Sequence, residues 1–104
     1  MTHAALRRHE RISVPAAIEI HAAAPGLTGV ATVIGAGGMF LRTKDVRSAG
    51  TVLALKLTCG KLSIEVSCTV RYITEHGMGI EFTAVTPAND QRLLSLLDQV
   101  RTPS

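Results

Sequence analysis

Arg7, Arg8 and Arg11 fall within one pentapeptide, Arg7-Arg8-His9-Glu10-Arg11, opposed there only by Glu10. A guanidinium is always charged and donates through a planar fork that matches phosphate oxygens bidentately. The formal net charge is only +3, so the positive field is local to this segment and its placement matters more than its size. A second feature is Gly35-Ala36-Gly37-Gly38, backbone with few side-chain restraints. It lacks the Lys-Ser/Thr of a P-loop and follows no βαβ pattern, so by itself it reads as a tight β-turn or bulge.

The other reactive types do not assemble. His3, His9, His21 and His76 are scattered, with no metal-ligand spacing to Cys or carboxylate. Ser13, Ser63 and Ser67 have no adjacent base, and no G-x-S-x-G elbow occurs. The carboxylates are dispersed, so no acid–base pair is visible. These residues predict neither catalysis, nor a metal, nor a cofactor. The aromatics are three, Phe40, Tyr72 and Phe82, without Trp. A stacking surface for nucleic acid is therefore not expected, which argues against a DNA- or RNA-binding barrel.

The elements that must hold these residues are mostly strands. Ile12, Val14, Ala16, Ile18 and Ile20 alternate with more polar neighbours, which predicts a half-buried strand over 12–20, with an edge or bulge at Pro15. Pro25-Gly26 marks a turn. A second strand follows at about 28–34 and a third from Met39. Over 52–72, a two-residue turn at Gly60-Lys61 would set Cys59 opposite Leu62, Leu57 opposite Ile64, Leu55 opposite Val66 and Leu53 opposite Cys68. On the other face Lys56 meets Glu65 and Thr58 meets Ser63. A slip by one residue destroys both patterns. The same register separates Cys59 from Cys68 by roughly 20 Å, beyond the ~7 Å Cα limit of a disulfide. Both are expected reduced and largely buried.

A last strand near 78–83 carries Met78, Ile80 and Phe82 on one face. Thr86 then reads as the N-cap and Pro87 as the first residue of a helix reaching about residue 101, with Leu93, Leu94, Leu97 and Val100 at helical spacing. A chain of 104 residues, 46% hydrophobic, suffices for one domain and is too hydrophobic for disorder. The predicted architecture is a small six-stranded antiparallel β-barrel at 12–84 with one C-terminal amphipathic α-helix at 87–101. A flexible basic segment, 1–11, precedes it. No apolar run approaches a membrane span and no secretory signal is visible, so a cytoplasmic setting is expected.

Taken in order, the arginine pentapeptide before the first strand, Gly38-Met39-Phe40 after the second, and Gly77-Met78-Gly79-Ile80-Glu81-Phe82 before a Leu-rich helix resemble the PilZ domain family. The resemblance runs from about Arg7 to Val100. It implies a bacterial receptor for the second messenger cyclic di-GMP, relaying its signal to an unidentified protein effector. The family's first ligand motif, R-x-x-x-R, is matched by Arg7 and Arg11, with Arg8 as an extra cation. The second, (Asp/Asn)-x-Ser-x-x-Gly, falls on Val33-Ile34-Gly35-Ala36-Gly37-Gly38 and keeps only its last glycine. Val33 stands where an acceptor for guanine N–H groups is expected, and Gly35 stands where the family has Ser. Each lost hydrogen bond costs ~1–3 kcal/mol, which predicts weakened affinity. The resemblance thus implies a ligand site at Arg7, Arg8, Arg11, Val33, Gly35, Gly37 and Gly38. The alternative is a barrel that no longer binds nucleotide and works through protein contacts.

Overall fold

A computed structural model describes residues 11–101, so the basic segment 1–10, with Arg7 and Arg8, lies outside the described residues. The strands are β1 (Ile12–Ser13), β2 (His21–Ala24), β3 (Leu27–Ile34), β4 (Gly38–Arg42), β5 (Val52–Cys59), β6 (Leu62–Thr74) and β7 (Gly77–Ala84), followed by the helix α1 (Pro87–Arg101). Six of them close a ring in the order β2-β3-β4-β7-β6-β5, every neighbour antiparallel, and β1 lies beside the end of β3. Closure leaves few free backbone edges, the usual liability of a small sheet.

The β5–β6 hairpin has the register its side chains dictate, with Leu55 opposite Val66, Lys56 opposite Glu65 and Cys59 opposite Leu62. Gly60 has φ +60 and no described non-glycine residue has positive φ, the pattern of a II′ turn with glycine first. Alternation along both strands turns Leu55, Leu57, Ile64 and Val66 into the barrel, where all are buried. The core is aliphatic, with Met39, Met78 and Cys68, and no aromatic ring is among its fully buried side chains.

The strand expected over 12–20 is not continuous. Ile12 faces Ile34 and His21 faces Val30, so nine steps along this segment are set against four along β3. Pro15 is the cause: its carbonyl accepts from Ile18 N–H at 3.0 Å, and the extra residues leave the ladder as a turn. Pairing continues on both sides, since Val14 N–H donates to Thr32 O and Ala31 N–H donates to Ile20 O. The apolar alternation marked Ile20 as buried and Ile12, Val14 and Ile18 as half-buried, but Ala16 is exposed in the turn and the segment is not one strand. The small-residue strand β2, His-Ala-Ala-Ala, was not expected, and its Ala22 is buried between β3 and β5.

The helix begins as its cap predicts. Thr86 Oγ1 accepts from Asn89 N–H at 3.3 Å, and Asp90 N–H donates to Thr86 O at 2.7 Å. Its buried face is Leu93, Leu96, Leu97 and Val100. Leu94, expected on that face, is 52% exposed instead. Cys68 is buried as expected, whereas Cys59 is only half-buried near the hairpin tip, and both thiols are free.

Candidate functional site

Three ladder positions bring distant residues to one end of β4 and β7. Ile12 pairs with Ile34, so Arg11, one residue earlier, is carried beside Gly35, one residue later. Gly38 pairs with Glu81 across β4 and β7, and Gly79 pairs with Tyr72 across β7 and β6. The result is an open cleft of about 470 Å³ between Arg11, the Gly35–Gly38 connection, and Arg71, Tyr72, Glu81 and Phe82. That volume lies within the ordinary range for small-molecule sites.

The Gly35–Gly38 connection is the tight β3–β4 turn. Gly35 N–H donates to Gly38 O at 2.8 Å, and Phe82 N–H donates to Gly37 O at 2.9 Å, which ties the turn to β7. At position 38 glycine is required by close approach, because a Cβ there would run into the carbonyl oxygen of Ile80. Gly79 has a second use. A side chain on it would meet the Tyr72 ring, so the bare backbone lets Phe40 of β4 and Tyr72 of β6 approach across β7, with ring centroids 6.4 Å apart. Tyr72 remains 45% exposed, a flat aromatic wall that the low aromatic content did not lead one to expect.

Between Val70, opposite Ile80, and Tyr72, opposite Gly79, β6 has one residue too many. Arg71 is that extra residue. Regular alternation would send residues 71 and 72 to opposite faces, and the bulge lets both line the cleft. Arg71 Nη1 lies 3.1 Å from Glu81 Oε1, with both side chains about half exposed. Among the described lining residues the charges are thus Arg11, Arg71 and Glu81, leaving one cation in excess.

Of the residues the sequence singled out, Arg11, Gly35, Gly37 and Gly38 converge on this cleft. Val33 stands apart from its lining, half-buried on β3 between Ser13 and Phe40. Arg71, Tyr72 and Glu81 were missed. Tyr72 and Glu81 had a partial signal, since Glu81 lies within the Gly77–Phe82 stretch that carries the resemblance and Tyr72 is the chain's single tyrosine. No group of three or more His, Cys, Asp or Glu among the described residues could hold a metal ion. Among the same residues no helix is long and apolar enough to cross a membrane.

A closed six-stranded antiparallel barrel with a C-terminal helix thus carries, beside its first strand, a cleft lined by arginine and glycine. The chain matches the PilZ domain over residues 5–99, and it belongs to that family. PilZ domains are receptor and adaptor domains of the cyclic di-GMP-binding type. No curated protein matches the chain.

Proposed function

We infer that this chain is a cyclic di-GMP receptor of the bacterial cytoplasm that relays the signal through contacts with an effector protein. The observation that carries this is the convergence of Arg11 with the Gly35–Gly38 turn and the exposed Tyr72 face on one cleft. The ligand has two phosphates and two guanines. Arg11, and the sequence motif it completes with Arg7 and Arg8, suits the phosphates and the guanine O6/N7 edge. Tyr72 offers a face for a base. The affinity is reduced relative to an intact second motif, because Val33 and Gly35 bring no side-chain hydrogen bonds.

Calorimetric titration with cyclic di-GMP tests this reading. Saturable micromolar binding is expected, weakened about tenfold or more by Arg11→Ala, since a charged hydrogen bond contributes ~1.5–3 kcal/mol. Absence of binding up to millimolar ligand overturns it. The second reading, a nucleotide-independent protein-interaction module, is favoured by one observation: Val33 is half-buried in the sheet and has no polar atom to offer a base.

A further inference from the structure

We propose that the Arg71–Glu81 ion pair reads guanine, with Glu81 supplying the acceptor that position 33 lacks; this rests on the reading of the cleft as a cyclic dinucleotide site. Arg71 Nη1 and Glu81 Oε1 are 3.1 Å apart, and their side chains are 62% and 50% exposed. An ion pair so exposed adds little to stability, so the fold itself does not require it. Its position is nevertheless specific. Glu81 stands opposite Gly38 in the β4–β7 ladder, and the β6 bulge turns Arg71 toward the same cleft.

A guanidinium beside a carboxylate is a donor next to an acceptor at hydrogen-bond spacing. Guanine presents the complement along one edge: O6 accepts, while N1–H and the N2 amino group donate. Adenine presents the reverse, an N6 amino donor beside an N1 acceptor. It would set donor against donor at Arg71 and lone pair against carboxylate at Glu81. With the base held in one orientation by the phosphodiester ring of the ligand, the doublet admits guanine and rejects adenine, and the exposed Tyr72 ring beside it supplies a flat wall against which a base can lie. Phosphate attraction by the arginines is indifferent to the base, so selectivity must come from contacts to base edges, and this pair supplies the one carboxylate acceptor among the described lining residues.

The test is a matched titration of the full chain with cyclic di-GMP and cyclic di-AMP, for the wild type, Glu81→Ala, Glu81→Gln and Arg71→Lys. The wild type is expected to prefer cyclic di-GMP by about tenfold or more, the scale of one good bidentate base contact. Glu81→Ala should bring the ratio close to one by weakening cyclic di-GMP alone. Loss of a negative charge leaves cyclic di-AMP binding equal or stronger, an outcome that damage to the fold would not produce. Glu81→Gln keeps one acceptor oxygen and should give an intermediate ratio, and Arg71→Lys should lower the ratio while retaining the charge. A preference unchanged in Glu81→Ala, or a wild type that binds both dinucleotides alike, overturns the guanine reader and leaves the cleft as a dinucleotide site. A wild type that binds neither overturns the proposal and the receptor reading together.

Discussion

The thiol of Cys68 is fully buried on β6 and donates to the carbonyl oxygen of Leu53 at 3.5 Å. Burial in apolar surroundings disfavours the thiolate and pushes its pKa up from 9.0 to about 11. Burial also raises the pKa of the half-buried Cys59. In the unfolded chain these thiols ionise first, so the folded state holds more protons as the pH rises. Their contribution to stability is therefore complete below pH 9 and is lost on the way to about pH 11. Thermal melts followed by circular dichroism should show Tm falling across that window, and Cys68→Val should flatten the fall. An equally steep fall in the variant would assign the effect to other groups. The residues of the cleft divide by how their positions are encoded. Arg11 and Gly38 were legible because each keeps its place in a short motif, and Gly35 and Gly37 because they share the run that ends at Gly38. Arg71 was not, because it reaches the cleft only through a one-residue bulge, and nothing in the run Thr69-Val70-Arg71-Tyr72 announces where the ladder slips.

At the scale of elements, α1 does more than cap the barrel. The first part of β6, up to Val66, has β5 on one side but no β7 partner on the other, because the β6–β7 ladder starts at Ser67. Side chains of the helix take up the vacant edge. Asn89 Oδ1 accepts from Glu65 N–H at 3.2 Å, and Arg92 Nη1 donates to Ser63 O at 3.3 Å. Beneath them the leucines fill the core. The run Leu93-Leu94-Ser95-Leu96-Leu97 offers more apolar residues than one face can hold. At ~100° per residue, Leu94 and Leu96 fall on opposite flanks of Leu93 and Leu97, and contact with the barrel selects Leu96. Leu96→Ala should therefore cost about 2–5 kcal/mol of unfolding free energy, and Leu94→Ala about 0.5 kcal/mol or less. Urea unfolding of both variants checks this, and a reversed ranking would rotate the helix. The helix bounds and the β5–β6 register were legible because each is fixed by neighbours in sequence: a cap, a proline, a two-residue turn. The segment 12–20 was not, since its pairing partner lies across the chain and Pro15 permits a turn that alternation conceals.

At the scale of the whole molecule, the two ends of the barrel are built differently. Away from the cleft, the loop after β4 is pinned to the β2–β3 turn. Asp45 Oδ2 accepts from Thr28 N–H at 3.2 Å, and Arg47 Nη2 donates to Gly26 O at 3.0 Å. At the cleft end, glycines replace side chains, and the polar groups that remain face outward. This asymmetry provides a probe for the receptor reading. The chain has one tyrosine and no tryptophan, and that tyrosine is Tyr72, 45% exposed in the cleft wall. Emission excited near 280 nm therefore reports almost wholly on the cleft. A guanine lying against the ring should quench it, beyond the loss due to guanine's own absorption, along a saturating curve whose midpoint is the one calorimetry gives. The same ligand at a hundred times its Kd should stabilise the fold by about 2.7 kcal/mol and raise Tm accordingly. Stabilisation and quenching should titrate together, and Arg11→Ala should shift both curves to higher ligand. If Tm rises while tyrosine emission stays constant, the ligand binds elsewhere on the barrel, and neither Tyr72 nor the ion pair beside it takes part in recognition.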